Sequence, residues 1–372
     1  MKKMSRGVQG VPPTPDADFG SAIDSARLVA ANRVAGEFFA DRIHAPEADS
    51  PRRYLKDRGL CSVLDSERWT IGYAPAAWTS LTEHLHDFGF RDDELDQAGL
   101  SIRSRRGNLI DRFRDRITIG IHDHDDSLVA FIARAGPSTG KSTPKYLNSP
   151  RTPIYNKSEV LFGLSEQRDR LEGGATPVLV EGPLDVLAVD AAASDRFAAV
   201  APCGTALTDT QVAALAALTH DQVIVAFDAD QAGIRACFTA YPLLRRSFTQ
   251  PVAADLPNGS DPAELMATED GPTRLRRSLL EPRALEDLII DDALEPWNGH
   301  LDNAEAKVAA LRSASARIRS MLPMDVARQA NRLTKELDLG HDTIARELTA
   351  AVPRNLRTQN LMRDTNGARL NC

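Results

Sequence analysis

The chain has 372 residues, of which 42% are hydrophobic and 26% charged, and its formal net charge at pH 7 is −7. This length and composition are typical of a globular protein with two or three domains, and they exclude a peptide-sized or disulfide-stapled scaffold. No run approaches the roughly 18 apolar residues that a membrane helix requires, so no membrane partner is expected, and the acidic balance by itself disfavours a nucleic-acid binder.

The first 20 residues carry three prolines among polar residues and have no apolar signal core, so we expect a disordered leader. The four cysteines, Cys61, Cys203, Cys237 and Cys372, are scattered along the chain and form no CxxC pair. This pattern predicts neither a zinc site nor a disulfide framework. A reducing cytoplasm is the simplest location for such a chain.

The N-terminal half is predicted to combine helices with a β-hairpin. Apolar residues at helical spacing predict helices over residues 21–43, 49–60, 78–88 and 92–98. Gly89 and Gly99 follow the last two helices, where a glycine commonly caps the C-terminus. Beyond them, two β-prone runs at 117–121 and 128–132 flank the polar sequence HDHDD and predict a hairpin.

Several residues in this half have both an ordinary and a functional interpretation. Trp69, Tyr73 and Trp78 could offer stacking surfaces for bases, but we expect them to pack in the core. His122 and His124 could bind a metal ion together, although a polar hairpin tip accounts for both of them.

A basic tract between residues 103 and 157 interrupts the acidic balance. It contains 11 Lys and Arg residues against 5 Asp and Glu residues, and such a local excess suits contact with phosphates. Within it, residues 135–142 match a loose P-loop pattern that ends in Gly-Lys-Ser. A P-loop leads directly into a helix, whereas here Thr143 and Pro144 follow. We therefore interpret this segment as a flexible loop.

From residue 177 onward, predicted strands and helices alternate. They come in the order strand 177–180, helix 184–193, strand 197–201, helix 208–218, strand 222–227 and a helix from about residue 232. Thr208 and Gln211 have the spacing of a capping box. This alternation predicts a parallel sheet with helices on both faces, and functional residues in such sheets gather beyond the carboxyl ends of the strands.

Beyond residue 282 the pattern is helical throughout. One apolar stripe includes Leu311 and Leu322, and further helices are predicted over 325–337 and 342–352. The polar tail that follows is expected to be frayed.

Acidic side chains stand where the predicted sheet would present its strand ends. Glu181 and Asp185 follow the first strand, Asp228 and Asp230 follow the third, and Asp261 comes later in a Ser-Asp-Pro sequence. Each acid alone is as readily explained as a helix cap. Together, however, converging carboxylates repel one another unless a cation neutralises them, and oxygen ligands alone suit Mg²⁺ or Mn²⁺. The group therefore predicts a divalent-metal site and phosphoryl chemistry.

The sequences EGPLDVLA, PCGTALT and VIVAFDADQAG, followed by an Asp-Pro pair, together resemble the Toprim domain over about residues 177–265. Bacterial primases, topoisomerases, some nucleases and recombination mediators share this domain. The resemblance implies two or more Mg²⁺ or Mn²⁺ ions at Glu181, Asp185, Asp228, Asp230 and Asp261, among which Glu181, Asp228 and Asp230 would be catalytic.

The N-terminal half distinguishes among Toprim enzymes. YLKDRGL, WTIGYAP, DRFRDRITIGIHD, VAFIAR and PKYLNSPRTPIYNKSEVLFGL are similar to consecutive motifs of bacterial DnaG-type primases. The resemblance implies an α+β basic subdomain at 21–174, a Toprim domain with a parallel α/β sheet at 175–270, a helical subdomain at 271–352 and a flexible tail. It implies nucleotide and template contacts by Arg58, Arg114, Arg116, Arg134, Lys145, Asn148 and Lys157.

The chain departs from the family pattern in several places. Ala263 stands where a second acid near Asp261 is common, at the expected second metal site. Gly120 and the pair Ile132 and Ala133 replace a more usual Pro and a Gly pair. The cysteines cannot supply the zinc-binding domain of a full replicative primase, and the tail leaves little room for a helicase-binding domain. We therefore expect a catalytic core that serves a plasmid, phage or other mobile element, or that works beside separate partners.

The resemblance implies DNA-directed RNA primer synthesis in replication, by nucleotidyl transfer from ribonucleoside triphosphates on a single-stranded DNA template. A replicative helicase or a relaxase would act as a separate partner. Two alternatives stay open: a Toprim nuclease or nicking enzyme, which would use the same metals to cut phosphodiesters, and a non-catalytic primase-like module that binds single strands. A topoisomerase is disfavoured because a large tyrosine-bearing strand-passage domain does not fit.

Overall fold

The computed structural model describes residues 24–136, 143–204, 206–219 and 221–350. The expected leader, most of the P-loop-like segment and the polar tail therefore lie outside the described residues. Within these ranges, no helix has both the length and the apolar character that crossing a membrane requires.

The N-terminal part is built around an antiparallel sheet with a long helix on one face. Its elements are α1 (Ser25–Arg42), α2 (Asp49–Asp57), α3 (Ser80–Asp87), α4 (Asp92–Gln97), β1 (Ile71–Ala74), β2 (Ser101–Arg103), β3 (Leu109–Asp111), β4 (Arg116–His122), β5 (Leu128–Ala135) and β6 (Tyr146–Asn148), with 3-10 turns at Pro46–Ala48 and Cys61–Leu64. The strand order is β1-β4-β5-β6, and β2 pairs with β3 separately. The predicted hairpin is confirmed as β4 and β5.

Close packing joins α1 to this sheet. Gly72 in β1 lies directly against the helix, because a Cβ atom at Gly72 would lie 2.3 Å from the carbonyl carbon of Phe39. The ring of Phe39 meets the ring of Phe131 edge to face at a centroid distance of 5.3 Å, and Phe113 meets Phe131 at 6.1 Å. Such buried aromatic pairs contribute both area and directional contact, so they fix α1 over β5.

A six-stranded, mostly parallel sheet forms the next part of the chain. Its elements are β7 (Leu161–Phe162), α5 (Arg168–Glu172), β8 (Thr176–Leu179), α6 (Pro183–Ala193), β9 (Phe197–Pro202), α7 (Asp209–Ala216), β10 (Gln222–Val225), α8 (Gln231–Ser247), β11 (Gln250–Ala253), α9 (Pro262–Met266), α10 (Gly271–Leu280) and β12 (Arg283–Ala284). The strand order is β12-β11-β10-β8-β9-β7, with the four central strands parallel and both edge strands antiparallel. Thr208 and Gln211 form the predicted capping box at α7.

Alternate residues of the central strands point into two hydrophobic cores, one on each face of the sheet. Val178 and Ile224 belong to the core that α6 covers, whereas Leu179 and Val225 belong to the core that α8 covers. Trp69 from the N-terminal part also packs in the first core. The predicted parallel sheet with helices on both faces is therefore confirmed, and its core continues into the N-terminal part.

The remainder of the described chain is helical. Its elements are α11 (Leu285–Leu294), α12 (Ala304–Ile318), α13 (Pro323–Glu336) and α14 (His341–Ala350), with a 3-10 turn at Glu295–Trp297. Asp325 of α13 links this part to α8, because its carboxylate accepts hydrogen bonds from the Tyr241 hydroxyl and from Arg245 Nε, the latter at 3.0 Å.

The structure corrects three expectations. Trp78 does not pack in the core, because α3 begins only at Ser80 and Trp78 in the preceding loop is 62% exposed. Leu322 lies between α12 and α13 and is 40% exposed, so the apolar stripe ends before it. The region after residue 282 is not entirely helical, since Arg283–Ala284 pairs with β11 as an edge strand.

Candidate active site

Five acidic residues lie near the carboxyl ends of three neighbouring parallel strands. Glu181 follows β8, Asp228 follows β10, and Asp261 follows β11 and precedes α9. Asp185 lies in the first turn of α6, and Asp230 is the N-cap residue of α8. Because β8, β10 and β11 are adjacent in the sheet, their carboxyl ends meet at one edge.

Hydrogen bonds from backbone N–H groups to carboxylate side chains connect these loops to one another. Glu181 Oε1 accepts a hydrogen bond from the Asp228 N–H at 3.2 Å, and Asp185 Oδ1 accepts one from the Ala263 N–H at 3.1 Å. Ala263, which replaces the acid that the family commonly carries, therefore takes part in the site through its main chain. These contacts bind the three strand-end loops into one unit.

Asp230 and Asp261 also cap helices. Asp230 Oδ1 accepts hydrogen bonds from the N–H groups of Ala232 at 2.7 Å and Gly233 at 2.8 Å. Asp261 Oδ1 accepts one from the Glu264 N–H at 2.5 Å. The capping explanation is thus correct for both residues, and it leaves the second carboxylate oxygen of each side chain available to a ligand.

Burial and mutual repulsion raise the pKa values of three carboxyl groups. The pKa of Asp228 is raised to about 7, first by burial and then by the charges of Glu181, Asp261 and Asp230. Burial also raises the pKa of Glu181, and it raises that of Asp185 well above its ordinary value, with Asp261 adding to the effect. The site therefore carries more negative charge than its surroundings stabilise, and a cation would offset the repulsion.

One cavity of about 220 Å³ is lined both by carboxylates and by cationic side chains. Its acidic lining residues are Glu181, Asp185, Asp228 and Asp261, and we call its other polar lining residues, Arg58, Arg134, Lys145, Tyr54 and Tyr146, the cationic wall. Asp230 borders a neighbouring cavity instead. The structure thus brings together four of the five predicted acids and three of the seven predicted nucleotide or template contacts.

Aromatic rings hold the cationic groups of this wall. The Arg134 guanidinium lies 4.0 Å from the centroid of the Tyr54 ring, and that of Arg58 lies 5.4 Å from the same centroid. Lys145 Nζ lies 5.7 Å from the centroid of Tyr146. Cation–π contacts of this kind restrict the side chains before any ligand binds. Sequence reasoning did not assign either tyrosine, although both stand beside the basic residues in the motifs YLKDRGL and PKYLN.

The Tyr54 hydroxyl is buried, and no described residue makes a hydrogen bond to it. The charges of Asp261 and Asp185 act on it, while burial is the largest cause of its raised pKa. Most buried polar atoms in proteins have a hydrogen-bond partner, and the residue that carries this one lines the cavity, where a bound ligand would supply a partner.

Four predicted contact residues lie outside this cavity. Arg116 is buried and donates to the carbonyl oxygens of Ala133 at 3.3 Å and Pro144 at 3.0 Å. Asn148 Nδ2 donates to the Cys203 carbonyl oxygen at 3.1 Å. The remaining two are Arg114, whose guanidinium lies 4.5 Å from the centroid of the Trp78 ring, and Lys157, whose carbonyl oxygen accepts from Gln211 Nε2 at 2.9 Å.

Neither the two histidines of the hairpin nor the chain that follows the P-loop-like segment has the arrangement that the functional interpretation of its sequence pattern requires. His122 Nδ1 pairs with Glu166 Oε1 at 2.9 Å and His124 Nε2 with Asp125 Oδ2 at 3.3 Å, so the two histidines do not form a pair. In the described ranges, a group of three metal-capable side chains with ligand atoms within 4.8 Å occurs only at this tip, at Asp123, His124 and Asp125. After the P-loop-like segment the chain enters strand β6 and not a helix, as the loop interpretation predicts.

The sequence is similar to that of known protein families. A family model described as the DNA primase catalytic core, N-terminal domain, matches residues 38–168, and a Toprim-like model matches residues 178–266. A DNA primase of Mycolicibacterium smegmatis is 36% identical over 293 residues, which cover 77% of this chain and 45% of that protein. One of Streptomyces coelicolor is 35% identical over 305 residues, covering 78% of this chain and 46% of that protein. The chain spans about half the length of these curated relatives.

The fold is similar to that of solved primase structures. The RNA polymerase domain of Mycobacterium tuberculosis primase DnaG, solved with a double-stranded DNA oligomer that has a 6-nucleotide overhang, matches with a TM-score of 0.72 at 32% identity. The match covers 85% of this chain and 98% of that chain.

Proposed function

The chain belongs to the bacterial DnaG-type DNA primase family, whose RNA polymerase domain it matches, and we propose that it synthesises RNA primers on single-stranded DNA. The observation that carries this proposal is the cavity in which carboxylates face fixed cationic side chains. In the proposed reaction, the 3′-hydroxyl oxygen of a nucleotide or primer bonds to the α-phosphorus of a ribonucleoside triphosphate. The bond from that phosphorus to pyrophosphate breaks at the same time.

The carboxylates of the site have the ligand type and the charge to bind the divalent metal ions that Toprim primases use. Their donor atoms are oxygens, and the raised pKa of Asp228 reports an excess of negative charge. We propose that Glu181, Asp185, Asp228, Asp230 and Asp261 hold two or more Mg²⁺ or Mn²⁺ ions. Such ions neutralise charge on the α-phosphate and lower the pKa of the attacking hydroxyl group. No three of these carboxylates have oxygen atoms within 4.8 Å of one another, which suits a cation that retains water ligands, as Mg²⁺ does.

The cationic wall is proposed to bind the triphosphate. Arg58, Arg134 and Lys145 present their charges toward the same cavity as the acids. Because tyrosine rings restrict Arg58 and Arg134, less conformational entropy is lost when they bind phosphate. The triphosphate would thereby be held with its α-phosphate toward the strand-end carboxylates.

For the template we propose the surface formed by Trp78 and Arg114. An exposed indole ring with a guanidinium stacked on it is a platform on which a nucleic-acid base can stack. Asn148 and Lys157 are proposed to contact nucleotide or template at the margin of the cavity. Arg116 is proposed to act by positioning, since it bonds to the carbonyl oxygen of Pro144, the residue before Lys145.

A primer-synthesis assay tests this function. Incubation with labelled ribonucleotides, a single-stranded template and Mg²⁺ or Mn²⁺ is expected to give oligoribonucleotides, and Asp228→Ala is expected to abolish them. Absence of product from the unaltered protein on varied templates would contradict the proposal. Metal-dependent cleavage without polymerisation would support a Toprim nuclease, and template binding without turnover would support a non-catalytic module.

We also propose how the protein reaches its template. The net charge of −7 limits non-specific affinity for DNA outside the basic tract, so delivery by a replicative helicase or a relaxase supplied in trans fits this chain. The free thiols of Cys61, Cys203 and Cys237 fit a reducing cytoplasm.

A further inference from the structure

A second, larger cavity shares Asp228 with the first one and is also lined by Asp230. Its volume is about 510 Å³, which is within the range of small-molecule sites. We call it the rear cavity. Its apolar surface comes from three regions, with Phe227 after β10, Ile234 on α8 and Leu288 on α11. The rear cavity therefore lies where the Toprim sheet meets the C-terminal helices, and junctions of this kind commonly bind ligands.

The charged residues around the rear cavity are mostly acidic. Six of the lining residues are Asp or Glu, and Arg283 is the one basic lining residue. Two of the acids already have partners: Asp291 pairs with Arg283 at 2.7 Å, and Asp292 accepts from Gln231 Nε2 at 2.8 Å. Asp292 also pairs with an arginine of α12 at 2.5 Å.

Two exposed acids at the rim of the rear cavity, Asp255 and Glu295, have no cationic partner at hydrogen-bond distance among the described residues. The Asp255 carboxylate is 73% exposed and reaches Arg283 only at 3.9 Å. Glu295 is exposed at the start of the 3-10 turn after α11, and no described residue makes a hydrogen bond or ion pair with its side chain. Together with Asp228, these acids leave the lining of the rear cavity with more carboxylate groups than cationic ones, next to an apolar floor formed by Phe227, Ile234 and Leu288.

We propose that the rear cavity binds a small organic cation with a planar apolar body, of the aryl amidine class. Burying a hydrophobic ring against the apolar floor contributes favourable binding free energy. An amidinium group can donate two parallel hydrogen bonds to one carboxylate. A neutral ring would leave the rim acids without a counter-charge, and an anion would be repelled. Triphosphates and the primer strand are therefore excluded as occupants.

The occupant is coupled to the proposed metal site, because Asp228 lines both cavities. A positive group beside Asp228 opposes the binding of a second positive charge on its other side. The cation and the metal ion therefore weaken each other's binding by the same factor, since such coupling is reciprocal. This second step rests on the proposed function, whereas binding in the rear cavity does not.

Three probes of one shape and different charge test the binding step. They are 2-naphthamidine, its neutral carboxamide and 2-naphthoate, each titrated by ligand-observed NMR into metal-free protein without nucleic acid. The amidine is expected to bind at least about tenfold more tightly than the carboxamide, the factor for one charge-assisted hydrogen bond, and the naphthoate is expected not to bind. Equal affinity for all three probes, or no binding of the amidine, would overturn the proposal.

Variants locate the site. Glu295→Gln removes an exposed rim charge, and Leu288→Trp fills the floor; both are expected to weaken amidine binding several-fold. Glu305→Gln, an exposed acid of α12 outside the lining, is the matched control and should leave it unchanged. If Leu288→Trp does not fold, the location is tested with Glu295→Gln and Asp255→Asn. Unchanged affinity for the amidine in both variants would show that the amidine does not bind in the rear cavity.

Mn²⁺ binding followed by electron paramagnetic resonance tests the coupling. At one amidine concentration, several times the Kd for the unaltered protein, amidine is expected to weaken Mn²⁺ binding several-fold in the unaltered protein and to have a smaller effect in Glu295→Gln, where fewer molecules hold the amidine. Amidine binding without any effect on Mn²⁺ would refute the coupling. An inactive protein that shows both effects would refute the proposed primase function and leave this inference intact.

Discussion

Asp228 is the residue of the site whose pKa links the charge of the site to the stability of the protein. Its pKa is raised to about 7 because it is partly buried and lies beside Glu181, Asp261 and Asp230. The folded protein therefore holds a proton there in a pH range in which the unfolded chain has already lost it. Without a metal ion, this carboxylate costs stability once it is ionised.

This arrangement predicts a pH dependence of stability in the metal-free protein. Between pH 4 and pH 7 the Asp228 carboxyl group binds more protons in the native state than in the unfolded state, so its contribution to the free energy of unfolding falls as the pH rises. In thermal unfolding with a chelator, the midpoint of the unaltered protein should therefore fall relative to that of Asp228→Asn as the pH rises over this range. A midpoint that rises equally in both proteins would contradict the assignment.

The proposed role of Trp78 in template binding can be tested by substitution. Because the side chain is 62% exposed, Trp78→Ala should leave the free energy of unfolding nearly unchanged. It should weaken binding of single-stranded DNA about 5- to 100-fold, the loss expected for one base stacked on an aromatic ring. Fluorescence anisotropy with a labelled oligonucleotide measures this loss, and Trp78→Phe should retain most of the affinity. Unaltered binding by Trp78→Ala would place the template elsewhere.

At the scale of single elements, the start of α8 holds the Asp228 loop in place. Gly233 is the third residue of this helix, and a Cβ atom there would lie 2.0 Å from the Asp228 carbonyl oxygen. Only glycine lets the loop approach the helix so closely. The loop with both carboxylates is therefore supported by backbone packing as well as by the cap that Asp230 forms.

Gly233→Ala should displace the Asp228 loop without removing a carboxylate. We expect weaker Mn²⁺ binding, by about tenfold or more for a distortion that costs 1–3 kcal/mol, together with lower primer synthesis. Gly340→Ala is the matched control, since its added Cβ would meet nothing within 4 Å. Equal Mn²⁺ affinity in both variants would show that the loop does not depend on this contact.

The elements that sequence reasoning found are those with strong local signals. Strands β8, β9 and β10 are apolar runs with helices between them, and their carboxyl ends located the acidic residues correctly. Strands of two or three residues, such as β7 and β12, carry too little pattern to be recognised and form through pairing with distant strands. The error at Trp78 has a similar origin, because helical periodicity did not reveal that α3 begins at Ser80.

The cationic wall illustrates the same limit within the site. The family resemblance implied Arg58, Arg134 and Lys145, but the contacts of Arg134 with Tyr54 join residues 80 positions apart. Such a contact depends on how the N-terminal sheet meets the Toprim sheet, which local sequence does not encode.

At the scale of the whole molecule, the two halves of the site come from parts that share a core. Trp69 of the N-terminal part packs against Phe162 at a centroid distance of 5.5 Å, and its Nε1 donates to Asp190 of α6 at 2.8 Å. Arg68 pairs with the same carboxylate at 2.6 Å. These contacts hold the cationic wall at a fixed position relative to the carboxylates.

A shared core predicts that the N-terminal part and the Toprim part unfold together. Hydrogen exchange followed by mass spectrometry in increasing denaturant should show protection of β4 and β10 lost in one transition. Asp190→Ala, which removes the acceptor of Trp69 and Arg68, should separate the two losses or lower both midpoints. Independent transitions in the unaltered protein would contradict a rigid site.

At the same scale, the uneven distribution of charge along the chain is related to the proposed function. The net charge of −7 conceals a basic tract at residues 103–157, and two residues of this tract, Arg134 and Lys145, face the carboxylate group across one cavity. Opposite charges facing each other in this way are what transfer of a nucleotide from a triphosphate requires. The central claim is that this cavity joins ribonucleotides in the order that a DNA strand dictates.

The most direct test is incorporation of single labelled ribonucleotides on two templates of complementary composition. Each template is expected to direct incorporation of its complementary nucleotide only. Asp228→Asn is expected to abolish product, whereas Asp221→Asn, which changes an exposed acid just before the first residue of β10, is not. Incorporation that ignores the template, or equal activity in Asp228→Asn and the unaltered protein, would contradict the proposed primase function.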